Sequence, residues 1–302
     1  MPTPATLDID PFSQSFLRDP YPEHERLREA GAVVWLDAYG IFASARFEEV
    51  RSALQDWRAF SSAAGVGVAD FRKTTPFRPP SVILEADPPL HDRTRPVLAA
   101  VLLPASLEAL RPAFETAAED LIDVLVMKGR CDGVGELAEV FPVQVFADAI
   151  GIDDEGREHL LAYAAMVFNA FGPANELFDE SMRNAQTVRA WIAARCERRG
   201  LRPGSLGARV YEAADRGEVS EDEAGLLVRS LLSAGLDTTI YALGNALWSF
   251  SLHPDQWDRL RSDRKLARNA FDETLRLHSA VQTFFRTTTR DVTLGNVEIP
   301  EG

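Results

Sequence analysis

The sequence predicts a mainly α-helical protein with a minor β-sheet region, and three observations carry that prediction. Apolar residues recur at helical spacing through most of the chain after residue 90. The stretch 221–252 keeps that spacing with no proline between Pro203 and Pro254. Strand-like runs are short and confined to 33–43 and 287–299.

Taken in order, the lead is loose and marked by prolines, and 22–30 reads as a short helix with proline at its start. Val33-Val34-Trp35-Leu36 and Ile41-Phe42-Ala43 flank Asp37-Ala38-Tyr39-Gly40, the pattern of a β-hairpin. Residues 46–54 are helical again. Residues 63–80, rich in Gly, Thr, Pro and charge, read as a long loop, a length that is usually functional or disordered. Helices are then expected at 90–102, 106–128, 132–150, 157–171, 175–199, 205–216, 221–252 and 266–277, followed by short strands in 287–299. No repeat and no linker divides the chain, so one domain is expected over 1–302.

The totals exclude several function classes. Hydrophobic residues at 46% and charged residues at 26% describe an ordinary globular composition. A formal charge of −14 argues against general nucleic-acid binding, which needs a basic face. Cys131 and Cys196 form no disulfide framework and lack zinc-site spacing, so no metal site is expected from them. Met1-Pro2-Thr3-Pro4 does not open a signal peptide, and no apolar run reads as a membrane span. A reducing cytoplasm is the expected location.

The stretch 221–252 organises the rest. Ser220 with Glu223 reads as a capping box, and a helix of this length would run roughly 45 Å at ~1.5 Å per residue. Its centre, Ala234-Gly235-Leu236-Asp237-Thr238-Thr239, breaks local rules. Gly235 costs about 1 kcal/mol of helix propensity relative to Ala. Asp237 places a carboxylate where the flanks predict burial. Ser230, Ser233, Ala234, Asp237 and Thr238 share one face. Ala234 and Gly235 remove side-chain bulk, which would let a flat ligand lie against the backbone, and Thr238 can bond back one turn and bend the helix. The alternative is a buried helix with a packing glycine and a satisfied polar kink.

Three further groups stand out, each with an ordinary alternative. His91 and Arg95, four apart on a helix, suit an anion, or are a solvated basic helix start. Glu273 and Arg276 pair at i and i+3, either exposed or as a buried clamp. Phe284-Phe285-Arg286 opens a strand, where the aromatics would wall a pocket and Arg286 would bind an anion, or the aromatics face a core.

In combination these groups resemble the cytochromes P450: His-x-x-x-Arg, then Ala-Gly-x-Asp-Thr-Thr, then Glu-x-x-Arg, then an arginine opening a strand, in that order. The likeness is greatest to the soluble bacterial P450s that oxidise para-substituted benzoic acids. It implies a P450 fold and b-type haem, with Asp237 and Thr238 as the acid–alcohol pair relaying protons to dioxygen. It implies that Ala234 and Gly235 lie against the haem, and that His91, Arg95 and Arg286 pair with its propionates. It assigns Glu273 and Arg276 to a structural clamp. For a para-substituted benzoate it implies Arg78, Ser81, Arg229, Ser230 and Ser233 at the carboxylate, and Phe168, Phe171 and Phe284 around the ring. Electrons would come from a ferredoxin and its reductase, with Arg93 a candidate docking charge. The chain departs from the family in one respect: neither Cys131 nor Cys196 lies in the Phe-x-x-Gly-to-Cys loop that supplies the iron's thiolate. The expectation is therefore a P450 domain lacking its C-terminal haem-thiolate segment, an N-terminal fragment inactive as written. The alternative is a haemless helical binding protein, or a pseudogene product, that retains an aromatic-acid pocket.

Overall fold

The computed structural model describes residues 3–302; Met1 and Pro2, the start of the lead read above for a signal peptide, lie outside the described residues. The chain forms two compact units. The first takes Met1–His91, Asn169–Asp179 and Phe284–Gly302; the second takes Asp92–Phe168 and Glu180–Thr283. Because each unit is assembled from separated segments, no linker in the sequence marks the division.

The first unit holds all the described strands. It opens with β1 (Ala5–Leu7), α1 (Gln14–Arg18), α2 (Tyr21–Ala30), β2 (Val34–Leu36), β3 (Ile41–Ala43), α3 (Phe47–Gln55) and β4 (Phe60–Ser61). β2 and β3 form the expected hairpin, Val34 opposite Ala43 and Leu36 opposite Ile41, and β1 adds in parallel to β2. Gly40 closes the turn at φ +60°, a conformation that favours glycine. Val34 and Leu36 face a core with Ile9, Phe16 and Leu27. The lead is less loose than its composition suggests: Ser13 caps α1 by accepting the Phe16 N–H.

The second unit is helical. α4 (Leu90–Val101) leads into it, followed by α5 (Pro104–Glu108), α6 (Arg111–Lys128), a π-helix (Gly133–Ala138), α7 (Val140–Ile150) and α8 (Glu158–Asn169). After α9 (Glu176–Met182) come α10 (Ala185–Cys196), α11 (Leu206–Asp215), α12 (Glu221–Ala234), α13 (Asp237–Leu252), α14 (Pro254–Ser262) and α15 (Ala267–Leu277). Its core is built around Ile150, Leu160, Met166, Ile192, Val210 and Leu227, all nearly inaccessible. The helix expected over 106–128 is broken before Arg111, because Pro112 has no N–H to continue the ladder. That expected over 175–199 is split at Asn184, whose φ and ψ of −111° and 22° leave the helical region. Residues 254–262, unassigned from sequence, form α14 with Pro254 in its first turn.

Back in the first unit, β5 (Thr287–Thr288) pairs with β4, and β6 (Val292–Leu294) with β7 (Val297–Ile299). Gly295 and Asn296, both at positive φ, make the tight turn between β6 and β7. Val292, Leu294, Val297 and Ile299 close a second core over Val33, Ala59 and Phe60.

By length and composition Glu221–Leu252 would reach across a membrane, yet 56% of its most apolar window is buried inside the protein. It serves here as core.

Candidate active site

The centre of the stretch 221–252 is a break, not a continuous helix. The capping box forms as expected: Ser220 Oγ accepts the Glu223 N–H, and the Glu223 carboxylate accepts the Ser220 N–H. α12 ends where Gly235 donates to Leu231 O (2.9 Å), and α13 begins where Thr239 and Ile240 donate to Leu236 O (both 3.0 Å). Two threonine hydroxyls tie the halves together. Thr238 donates to Ala234 O at 3.0 Å and Thr239 to Gly235 O at 3.1 Å, occupying carbonyls that the break leaves without helical partners. Ser230 and Ser233 likewise donate to Leu226 O and Ser230 O. Asp237, the first residue of α13, is only 6% exposed. Burial, assisted by the Glu139 carboxylate, pushes its pKa up to about 7. An apolar helix thus presents at its break a carboxyl group that holds or releases a proton near neutral pH.

Ala234 is exposed at this break, but the clearance at Gly235 has another use. A β-carbon on Gly235 would lie 2.4 Å from Cζ of Phe146 on α7 and 3.1 Å from Leu231 O. The missing side chain makes room for a phenylalanine ring, a use of Gly235 beyond the expected clearance for a ligand. Gly235→Ala should therefore cost about 1–3 kcal/mol by overpacking, despite the better helix former. Adding Phe146→Ala should relieve part of that overpacking, a coupling that urea unfolding of the single and double variants would measure.

Arg229, on α12, is buried (8% exposed). Its charge reaches Cys196 on α10 and partly opposes the burial that pushes that thiol up to about 12. Phe168 sits near the end of α8 in the same unit.

In the first unit Phe171 and Phe284 meet at 6.3 Å between ring centroids, and the Arg286 guanidinium lies 5.9 Å from the Phe284 ring. Arg78 is buried there, but its fork is closed: Nη1 and Nη2 donate to Glu85 Oε2 and Oε1 at 2.8 and 3.0 Å. The Ser81 N–H donates to the same carboxylate at 2.6 Å, while Ser81 Oγ accepts from Ile83 and Leu84. Both terminal nitrogens of Arg78 already bond Glu85, so a direct role at a ligand carboxylate would require them to change partner.

The profile of the cytochrome P450 family matches residues 205–302. Cytochrome p450 CYP199A2 of Rhodopseudomonas palustris is 52% identical over 297 residues, 98% of this chain and 72% of the relative. The chain belongs to the cytochrome P450 family. Cytochrome P450 107B1 of Saccharopolyspora erythraea is 30% identical, over the whole of this chain and 76% of its own. Among solved structures, that of CalO2 superimposes with a TM-score of 0.82 at 28% identity, covering 97% of this chain and 75% of that one. The fold is a P450 fold, and the activity class is monooxygenase, working with haem, O2, an electron donor and an organic substrate.

Other charged groups of this P450 sort by their partners. His91 and Arg95 stand one turn apart on α4, Arg95 exposed and without an ion-pair partner among the described residues. Arg286 is half-buried, donates to Phe285 O at 2.7 Å, and has its pKa lowered by burial with Asp87 opposing. Glu273 and Arg276 form a two-bond pair in the open, so the clamp remains exposed in the described structure. Arg93 is bound through both terminal nitrogens to Glu223 at 2.6 Å, which holds that carboxyl down at about 2 and offsets the charge that Arg93 would bring to a docking surface.

Three partner residues were not singled out from sequence: Glu85, Glu139 and Phe146. The two acids carried a signal, each standing in an apolar run, Val82-Ile83-Leu84-Glu85-Ala86 and Leu137-Ala138-Glu139-Val140-Phe141. Phe146 carried none, since one more aromatic on an apolar helix looks like core.

Proposed function

We propose that this P450 inserts one oxygen atom from O2 into a small aromatic carboxylic acid, a para-substituted benzoate, by hydroxylation or O-demethylation. The observation that carries the chemistry is the buried Asp237 beside Thr238 at the break of an apolar helix pair. Haem b, when bound with a thiolate on its iron, supplies the activation of dioxygen. The resemblance gives this chain residues for one face and for the edge of such a group. Ala234 is exposed at the break, and His91, Arg95 and Arg286 are the cations to which the resemblance gives the propionates. We assign the thiolate to neither cysteine: burial raises the Cys196 pKa, and Cys131 follows α6 on the surface.

Around that group the chain's own residues have separate tasks. Asp237 holds a proton near neutrality and can release it, and Thr238 carries a hydroxyl one residue away. Arg229, Ser230 and Ser233 place a buried cation and two hydroxyls on α12 for the substrate carboxylate. Phe168 offers a ring from α8, while Ser81, Phe171 and Phe284 keep the roles that the resemblance implies. Arg78 supports the Ser81 loop through Glu85. Reducing equivalents come from a ferredoxin and its reductase.

The test is calorimetric titration of the haem-loaded protein with 4-methoxybenzoate and with its methyl ester. The acid should bind about tenfold more tightly or better, the size of one charge-assisted contact. Equal affinities would remove the carboxylic acid from the proposal.

A further inference from the structure

Within the loop 63–80, the tripeptide Val66-Gly67-Val68 is tied to two separated segments of the same unit. Phe285 donates its N–H to Val66 O at 3.1 Å, and Val68 donates its own to Phe171 O at 2.8 Å. Between those bonds, a β-carbon on Gly67 would lie 2.6 Å from Phe171 Cα and 2.7 Å from Phe171 O. That is about 1 Å short of ordinary contact, and both are main-chain atoms that no rotamer change can move aside. Gly67 does not adopt a left-handed backbone, so the close approach is what excludes a side chain there. The loop holds the tripeptide in turn. Gly65, at φ +106°, donates to Ser62 O at 3.0 Å, Phe71 donates to Ala64 O at 2.8 Å, and Val66 is fully buried. Phe12 ties the same two segments a second time. It stacks on Phe285 with 6.3 Å between ring centroids, and a β-carbon on Gly172 would lie 3.0 Å from Phe12 Cδ1.

The backbones fixed in this way carry the ring pair of Phe171 and Phe284, whose centroids are 6.3 Å apart. Phe284 is 42% exposed, so enclosure in a core does not set that spacing. The main-chain bonds beside the rings do. We propose that Gly67 is a positioning and specificity-determining residue. By letting the Phe171 backbone lie against Val66-Gly67-Val68, it sets the gap between the Phe171 and Phe284 rings, and hence the bulk of ring substituent that the pair admits. The inference rests on the aromatic-acid reading only for the identity of the ligand. With a methyl group at position 67 the 171 segment must withdraw, drawing its ring away from Phe284 and giving up the Val68–Phe171 bond. A wider gap loosens the fit around a slim acid and relieves the clash of a bulky one, so discrimination between them shrinks.

The test has two readouts. In the first, 4-fluorophenylalanine in place of Phe284 is followed by 19F NMR, and Phe171→Leu shows how the resonance moves when the facing ring is lost. Gly67→Ala should move it in the same direction. Replacing the Val68 N–H by an ester oxygen, which deletes the donor without adding bulk, should do so to a smaller extent and decides the matter if Gly67→Ala does not fold. In the second, the haem-loaded parent and variant are titrated calorimetrically with 4-methoxybenzoate and 4-tert-butylbenzoate. The preference for the slimmer acid should fall about tenfold, the lower end of what a methylene commands in a fitted pocket. An unmoved resonance in the folded variants overturns the proposal, as does an equal loss of affinity for both acids. If the parent binds neither acid, the substrate reading fails by itself, and the resonance still decides whether Gly67 sets the ring gap.

Discussion

Asp237→Asn is expected to stabilise the protein at about pH 8 by about 2–4 kcal/mol and to cut turnover about 10²-fold or more. The two effects share one cause. The folded protein raises the Asp237 pKa from 3.8 to about 7, so between those values the native state binds a proton that the unfolded chain has lost. A raised carboxyl works against folding as pH climbs: it contributes nothing below about 3.8, and its penalty grows through the window and is complete above about 7. Each tenfold change in proton affinity is worth about 1.4 kcal/mol, and solvent screening of a carboxyl that is not wholly buried reduces the full value, hence the range. Asparagine has the same shape and no charge to desolvate, so the gain should appear at about pH 8 and vanish at about pH 4.

The loss of turnover follows because asparagine cannot hold and release the proton. It would be measured with haem and its thiolate in place, under electron supply. Thermal unfolding at both pH values checks the stability half without any cofactor. A variant that is no more stable at high pH than at low pH would mean that Asp237 is not held protonated by the fold. Loss of function with gain of stability is the pattern of a site whose local cost is retained for chemistry.

Much of this was legible because it is local. The capping box, the hairpin around Gly40 and the proline-led starts depend on neighbours a few residues away, and all form as their residues dictate. The polar centre of 221–252 was also legible, since Gly235, Asp237 and two threonines contradict the apolar helix around them. What they touch was not. Gly235 is explained by Phe146, Asp237 by Glu139, Arg78 by Glu85 and Arg93 by Glu223, and three of these four partners lie far away in sequence. The break at Leu236 was hidden for another reason: spacing shows which face is apolar, not where the backbone leaves the helix.

The case of Arg78 shows what such a partner changes. Read alone, an arginine in a proline-stiffened loop is a ligand for an acid, and its removal would weaken a benzoate far more than an ester. With Glu85 in place the expectation is different. Arg78 and Glu85 side chains are 7% and 2% exposed, and Arg78→Ala would leave a carboxylate buried without its cation. That is expected to cost about 3–5 kcal/mol of folding stability, and acid and ester affinities should fall together as the loop loosens. Arg78→Lys should recover only part, because an ammonium cannot meet both carboxylate oxygens as the guanidinium fork does. Arg78→Met with Glu85→Gln should recover most, since the glutamine oxygen still accepts the Ser81 N–H and no charge remains to desolvate. Urea unfolding of the parent, Arg78→Met, Glu85→Gln and the double variant closes the cycle. If Arg78→Ala instead unfolds like the parent and selectively loses the acid, the guanidinium leaves Glu85 to bind the ligand. The pair would then be a latch that the substrate opens and not a support.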